Sequence, residues 1–271
     1  MSSCLAPMPM LTRRAVVVAL LVALLVAALA PLASAQFGRA AANRSPIGVQ
    51  WLGHAAFEIT SPGGTKILID PFLSANPSTP DSLKRLTRYK PDAILVTHSH
   101  DDHALDAKAI SQLSNMTKVI STYEWVNAQG IPQNQAMGGN VGGSFRVGDV
   151  TIHLVPAMHS SDPGGRPLGF VLEFADRRTL YHTGDTWLFG DMELIQEVYR
   201  PDIILIGVGG GPYTMDARVA QMALRKYFRP RAVVPMHYGT FEGLAKAAEV
   251  RLRFAGDRRV TIMTPGHKLA F

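Results

Sequence analysis

Cysteine is almost absent from this sequence, because its 271 residues include only Cys4. Cys4 lies ahead of an N-terminal apolar run, and cleavage after Ala35 would remove it. The mature protein would then contain no thiol, which excludes disulfides and cysteine metal ligands. A metal site in the mature chain would need histidine and carboxylate ligands instead.

Charged residues are also scarce, at 18% of the sequence against 47% hydrophobic residues. This balance excludes a disordered or fibrous chain and favours a packed domain of enzyme size. The lysines and arginines give a formal net charge of +6, but they are scattered and form no stripe. The sequence therefore gives no indication of a nucleic-acid partner.

Internal repeats, heptads and low-complexity tracts are absent from the sequence, apart from one polar, glycine-rich stretch over residues 133–144. We predict that this stretch is a loop, and it is long enough to form a lid or a substrate wall. At this chain length a single domain is the default expectation.

The N-terminal segment has the order of an export signal. Arg13 and Arg14 precede an apolar run over residues 15–30, and Pro31 and the small residues 33–35 follow it. This order predicts a signal peptide over residues 1–35, a flexible segment over 36–46 and a folded domain over 47–271. We expect a periplasmic or secreted bacterial protein, exported by the Sec or the twin-arginine route. The alternative is a retained membrane anchor, because the run approaches spanning length.

From residue 48 onward, short apolar runs alternate with segments of helical periodicity. Strands are predicted at residues 48–52, 56–60, 66–70, 93–97, 150–155, 168–174, 179–181, 203–206, 232–234 and 259–263. Helices are predicted at residues 104–114, 122–129, 192–199, 215–228 and 241–254. The alternation indicates a mixed α/β chain.

The strongest motif is the sequence THSHDDH at residues 97–103, between a predicted strand and a predicted helix. Imidazoles and carboxylates placed so close together repel each other or cost desolvation energy unless a cation organises them. Zinc and related ions accept both ligand types at about 2.0–2.2 Å. The spacing suits His98 and His100 as ligands of one ion, while Asp102 and His103 would face a second ion.

Three further candidates, His159, Asp185 and His237, each follow a predicted strand. Strand ends are where α/β proteins place their ligands. We therefore expect these side chains to join the motif in one cleft.

These segments resemble the metallo-β-lactamase superfamily, and within it the metal-dependent hydrolase branch of UPF0173-type and ascorbate-lactonase-like proteins. The similarity runs in order over most of residues 47–271. It rests on Gly-His at residues 53–54, Ile-Asp-Pro-Phe at 69–72, H-x-H-x-D-H at 98–103, His159, Gly-Asp-Thr at 184–186 and Pro-Met-His-Tyr at 235–238.

The resemblance implies an α/β fold, a four-layer αβ/βα sandwich of two mixed β-sheets flanked by helices. It also implies two divalent metal ions, with zinc as the first expectation and Mn, Fe or Ni as alternatives. One ion would be held by His98, His100 and His159, the other by Asp102, His103 and His237, with Asp185 bridging the two.

The activity implied is metal-dependent hydrolysis, in which a hydroxide activated by two ions attacks a small ester or lactone-like substrate. Asp102 could also accept a proton as a catalytic residue. His54 could contact the substrate or support the ligands, or be a turn histidine held by a backbone hydrogen bond. The resemblance gives Asp70 the role of orienting the metal-binding loop.

Several other residues have two readings. Tyr238 could donate to a developing oxyanion or pack in the cleft wall. The glycines of residues 207–211 could form an anion-binding nest, but a tight turn with positive φ is favoured. Asp101 is expected to be exposed, and His182 is expected to pack in the interior.

Alternative functions remain open at this point. They are a phosphodiesterase of the same fold, a non-catalytic metal-binding module, and a di-iron flavin redox protein. The lack of cysteine in the mature chain makes a zinc β-lactamase a weaker interpretation. The partner expected in the favoured reading is a small-molecule substrate, with membrane contact only if the N-terminal segment is retained.

Overall fold

The structure, a computed structural model, describes residues 45–271. The predicted signal peptide and Cys4 lie outside the described residues, as does the flexible segment up to residue 44, so export stays a prediction. Among the helices of residues 45–271, none has the length and apolar character needed to cross a membrane.

The first β-sheet has seven strands in the order β13-β1-β2-β3-β4-β5-β6. Its strands from β13 to β3 are antiparallel neighbours, whereas β3 to β6 run parallel. The strands are β1 (Gly48–Gly53), β2 (Ala56–Thr60), β3 (Lys66–Ile69), β4 (Ala93–Leu95), β5 (Lys118–Thr122), β6 (Ala136–Gly139) and β13 (Lys268–Ala270).

The second sheet has six strands in the order β12-β11-β10-β9-β8-β7. Here β10 to β12 are parallel, and β7 to β10 are antiparallel. The strands are β7 (Ser144–Val147), β8 (Val150–Pro156), β9 (Leu168–Phe174), β10 (Thr179–His182), β11 (Ile203–Gly207) and β12 (Ala232–Met236). Both sheets are therefore mixed, as the resemblance implied.

Short helices connect the strands. They are α1 (Asp81–Lys84), α2 (Asp101–Ala104), α3 (Ala107–Ser111), α4 (Tyr123–Ala128), α5 (Met192–Tyr199), α6 (Ala217–Lys226) and α7 (Ala247–Arg253), with a 3₁₀ turn at Leu86–Arg88. Asp216 caps α6, because its side chain accepts a hydrogen bond from the Val219 amide at 2.7 Å.

The core lies between the two sheets, and strand alternation explains it. Ile67 and Ile69 of β3 join a buried cluster with Phe170 and Leu172 of β9. Leu68, between them, faces the other side of the sheet and packs in a second cluster with residues of α3 and α4. Because successive side chains point to opposite faces, each sheet buries both faces. The result is the αβ/βα sandwich, which confirms the predicted fold class.

Some predicted elements differ from the structure. Residues 259–263 are not a strand, since only Val260 forms a bridge there, to Val233. The strand that closes the first sheet is β13, further along the chain. The predicted loop 133–144 contains β6, which pairs with β5 through backbone hydrogen bonds. The prediction of one continuous loop over 133–144 is therefore wrong at residues 136–139, which belong to a sheet.

The carboxyl ends of the parallel strands carry most of the predicted ligands and the supporting residue Asp70. Asp70 directly follows β3, and the H-x-H-x-D-H motif follows β4. In the other sheet Asp185 follows β10 and His237 follows β12. Parallel strands end at a common edge, so the topology itself gathers these side chains.

We predict that Phe170→Ala lowers the free energy of unfolding by about 3–5 kcal/mol, the usual cost of emptying a phenylalanine site in a packed core. Phe170 is fully buried between the sheets. Leu252→Ala is the control, because Leu252 is 80% exposed and its loss should change stability by less than about 0.5 kcal/mol. Urea denaturation measures both, and equal effects would contradict the assigned core.

Candidate metal centre

The loop after β4 forms the base of the centre. His98 and His103 are buried, while His100 and Asp102 are partly exposed. His98 Nε2 lies 3.0 Å from His100 Nδ1. The extended backbone of His100 leads directly into α2, which carries Asp102 and His103. The tight strand-to-helix connection therefore presents four polar side chains toward one cleft.

Asp185 lies at the centre of the cluster. Its Oδ2 is 2.9 Å from His237 Nε2, 3.4 Å from His103 Nε2 and 3.8 Å from His159 Nε2. His237 Nε2 is also 3.9 Å from Asp102 Oδ2. One carboxylate thus approaches histidines of both predicted ligand sets, as a bridging ligand would.

The potential ligand atoms fall into overlapping groups, each within 4.8 Å of one another. His98, His100 and His159 form the first group. Asp102, His103 and His237 form the second, and His54 lies with them. Asp185 groups with His98 and His103, between the two. The structure therefore brings all seven predicted ligands together.

Asp70 supports this cluster through hydrogen bonds to the loop after β4. Its carboxylate accepts hydrogen bonds from the Thr97 amide and the Thr97 hydroxyl, both at 2.8 Å. The carboxylate oxygen that accepts from the hydroxyl, Oδ2, is also 2.8 Å from His103 Nδ1. Because Nδ1 donates to this carboxylate, the Nε2 atom of His103 faces the cluster. Asp70 is fully buried and lies behind the ligand atoms, in the supporting position that the resemblance implied.

His54 lies directly against the second group. Its Nε2 is 3.0 Å from Asp102 Oδ2, and its ring centroid is 3.8 Å from that of His237. Its Nδ1 is 3.0 Å from the Thr240 hydroxyl, so a side chain and not the backbone holds this ring. The reading of His54 as an ordinary turn histidine is thus not supported by its contacts.

The donor set fits a metal ion. His103 Nε2, Asp185 Oδ1 and both ring nitrogens of His237 are buried without a hydrogen-bond partner. The 2.9 Å contact of His237 with Asp185 lacks hydrogen-bond geometry, so its short length reflects two groups facing a common space. Buried polar atoms left unpaired in this way are costly. Ion coordination would satisfy them.

The charges in the cluster shift several pKa values. Burial alone would lower the pKa of His103, but the carboxylates of Asp185 and Asp70 outweigh it and raise that pKa well above its usual value. Burial would raise the pKa of Asp185, yet His237 and His103 hold it well below the usual range. Burial and the neighbouring His237 lower the pKa of His54 to about 4. His54 is therefore neutral at pH 7.

A glycine allows His237 to reach the site. A Cβ at Gly209 would lie 2.0 Å from the His237 carbonyl oxygen and 2.9 Å from its Nδ1. No side chain fits there, so this glycine permits close packing of the loop after β11 against His237. Gly210 and Gly211 have positive φ, and neither lines the cavity. Gly210 and Gly211 thus have the positive-φ conformation of the turn that the sequence favoured.

A cavity of about 530 Å³ opens onto the cluster. Its polar side is formed by seven residues, which are His100, Asp101, Asp102, His159, Ser160, Asp185 and His237. Its other wall is apolar and comprises Phe72, Pro212, Tyr213, Phe241 and Leu244. This volume suits a small molecule.

Apart from Phe72, which belongs to the Ile-Asp-Pro-Phe segment, the wall residues were not found from the sequence. They come from several loops and carry no local pattern. Tyr238, in contrast, lies outside the cavity: its hydroxyl donates to the Met263 carbonyl at 3.3 Å, and the ring packs on Trp51. It is a packing residue and not an oxyanion donor. Asp101 is exposed and His182 is buried against Ala55, both as expected.

The fold and this site together define a metal-dependent hydrolase of the metallo-β-lactamase fold. The family model described as "Beta-lactamase superfamily domain" matches residues 48–237. The chain therefore belongs to that superfamily and, within it, to the UPF0173 metal-dependent hydrolases.

Its similarity to individual relatives covers most of the chain. A UPF0173 metal-dependent hydrolase of Myxococcus xanthus is 42% identical over 241 residues, which cover 84% of each chain. A relative of the same description from Pyrobaculum islandicum is 42% identical over 82% of this chain and 98% of its own. The solved structure of Igni18, a metallo hydrolase of Ignicoccus hospitalis, has a TM-score of 0.74 at 35% identity, covering 84% of this chain and 99% of that one.

We predict that zinc binding releases protons at pH 7 and that Asp70→Asn releases fewer per zinc. The raised pKa of His103 keeps this ring protonated in the metal-free protein, and a metal must displace that proton. Asparagine removes one of the two charges that raise the pKa. Calorimetric titrations in buffers of different ionisation enthalpy count the protons, and equal release from both proteins would contradict the assignment.

Proposed function

We propose that the protein is a dinuclear metal-dependent hydrolase of small, neutral esters or lactones. The observation that carries this proposal is the position of Asp185, whose Oδ2 approaches His159 on one side and His237 on the other. A carboxylate shared by two ligand groups suits two ions a few ångströms apart. Zinc is the first choice for these ligands, while Mn, Fe and Ni are accepted by the same donor set.

In this proposal His98, His100 and His159 would hold one ion, Asp102, His103 and His237 would hold the other, and Asp185 would be a ligand shared by both. Two ions sharing a water would lower its pKa from 15.7 toward about 7 and supply a nucleophile at neutral pH. The protein's own residues fix the ligand geometry through Asp70 and Thr97. They also shelter the reacting atoms, because Asp185 is almost fully buried.

Asp102 has the position of a proton acceptor as well as a ligand. Its side chain is 30% exposed and lines the cavity, whereas the Asp185 side chain is only 3% exposed. One carboxylate oxygen, Oδ2, faces His54. The other oxygen, Oδ1, is then available to take a proton as water attacks the substrate.

The cavity favours a neutral substrate with an apolar part. Among the described residues that line it, none is lysine or arginine, so a phosphodiester would meet no side-chain cation. Aromatic and aliphatic side chains line the other wall. An ester or lactone with an apolar substituent can bury that substituent against Phe241 while its carbonyl faces the histidines. A module that only stored metal would have no need of such a cavity.

We predict that Asp185→Ala abolishes most ester turnover and lowers the bound metal. The loss of transition-state stabilisation should be several kcal/mol, which is at least about a hundredfold in rate. Asp81→Ala is the control, since the Asp81 side chain is 96% exposed. The metal content of both proteins is measured, and both are screened against panels of lactones, esters, thioesters, β-lactams and phosphodiesters. Full activity of the Asp185 variant would refute the bridging role, and turnover of phosphodiesters alone would refute the substrate class.

A second prediction concerns the apolar wall. We expect Phe241→Ala to raise KM about fivefold for esters with long acyl chains, because about 1 kcal/mol of apolar contact is lost. Phe241 lines the cavity and is 42% exposed, so its removal should not disturb the core. The acetyl ester serves as the internal control, since it is too short to reach the ring. An equal change in KM for every chain length would contradict this position of the substrate.

A further inference from the structure

His54 ends a chain of hydrogen bonds that begins at Asn76. The chain runs from His54 Nδ1 to Thr240 Oγ1 at 3.0 Å, to Ser78 Oγ at 3.2 Å, and to Asn76 Oδ1 at 2.8 Å. Gly53 permits it: φ is +115° there, and a Cβ would lie 2.9 Å from Ser78 Oγ. These residues come from three separate segments, so only the fold brings them together.

The backbone fixes the direction of this chain at Asn76. Its Nδ2 donates to the Phe72 carbonyl at 3.0 Å, and its Oδ1 accepts from the Ser78 amide at 2.9 Å. The amide group therefore cannot be turned around without losing both bonds. Since Oδ1 can only accept, the Ser78 hydroxyl must be the donor in their 2.8 Å contact.

Each hydroxyl in the chain has a single proton to donate. The Ser78 hydroxyl donates its one proton to Asn76 Oδ1, so the Thr240 hydroxyl must donate to Ser78 Oγ. Thr240 then has no proton left for His54, and His54 Nδ1 must donate to Thr240. The hydrogen-bond chain thus places a proton on Nδ1 of His54.

The other ring nitrogen consequently presents a lone pair in the neutral ring. This atom, His54 Nε2, lies 3.0 Å from Asp102 Oδ2, which also presents a lone pair. Two such atoms at this distance repel each other unless a cation or a proton lies between them. The same arrangement holds His103, whose Nδ1 is directed to Asp70 and whose Nε2 faces the cluster.

We propose that His54 Nε2 is a further protein ligand of the ion held by Asp102, His103 and His237. The proposal rests on the proposed metal centre and deepens it, because it makes the two ion sites unequal. The second site would have four protein side chains besides Asp185, whereas the first would have three histidines. A site with more protein ligands leaves fewer positions for water and substrate. Substrate would therefore be admitted mainly at the ion of His98, His100 and His159.

The rival arrangement is an ion pair without a metal bond, in which a doubly protonated His54 ring donates from Nε2 to Asp102. The full-length protein, labelled with ¹⁵N in its histidine rings, distinguishes the two when it is loaded with ¹¹³Cd. We expect the His54 Nε2 resonance to be split by coupling to cadmium, with a proton retained on Nδ1. His54→Gln assigns the resonance by removing it, and Thr240→Val assigns it independently by shifting the Nδ1 signal of that ring.

Every outcome of this experiment decides something. A lack of splitting at His54 Nε2, with or without a proton there, while other histidines show cadmium coupling, would overturn the inference and leave the metal centre intact. No cadmium coupling at any histidine would overturn both. Splitting at His54 supports the inference without any measurement of activity.

Metal affinity gives a second readout. We expect Thr240→Val to weaken zinc binding at one of the two sites about 10–100-fold in chelator competition, the usual effect of losing a group that orients a ligand. Thr87→Val is the matched control, because Thr87 is exposed and lies away from the cavity. Unchanged affinity in the Thr240 variant would overturn the role of the hydrogen-bond chain.

Discussion

The site depends on buried oxygen atoms that accept hydrogen bonds from the Nδ1 atoms of the histidine rings. Asp70 accepts from the Thr97 hydroxyl and from His103 Nδ1. Because the Thr97 hydroxyl already donates its one proton to Asp70, His98 Nδ1 must donate to Thr97 Oγ1 across their 2.9 Å contact. The Nε2 atoms of His98 and His103 then face the same buried space. Beside the Asp185 carboxylate these nitrogen atoms require a positive charge, which is a proton on His103 in the metal-free protein and an ion once metal is bound.

The fold is arranged to meet this requirement at the edge where parallel strands end. Three site residues that are not glycine, His54, Asp70 and His237, have positive φ values of 54°, 46° and 60°. This conformation costs about 1–3 kcal/mol for such residues, and it persists where the surroundings enforce it. Here the His237 amide donates to the His54 carbonyl at 3.0 Å, which ties two of these turns together. Backbone strain at these three residues is thus offset by the packing and hydrogen bonds of the residues around them.

Much of this architecture could be predicted from the sequence, where local pattern determines local structure. The strands at Ala56–Thr60 and Leu168–Phe174 were predicted at their observed bounds, because apolar runs lie between clear turn signals. β6, β7 and β13 were missed, since β6 contains two glycines and neither β7 nor β13 contains a buried residue. The H-x-H-x-D-H motif was visible because its ligands are close in sequence. Asn76, Ser78 and Thr240 were invisible, because ordinary polar residues acquire a joint role only when the chain folds.

The most direct test of the convergence on cations is anomalous X-ray diffraction from crystals of the metal-loaded protein, measured on both sides of the metal absorption edge. We expect two anomalous peaks, one among His98, His100 and His159 and the other among Asp102, His103 and His237. Each peak should lie about 2.0–2.2 Å from its ligand atoms, with Asp185 reaching both. A single peak, or a metal bound away from Asp185, would contradict the account.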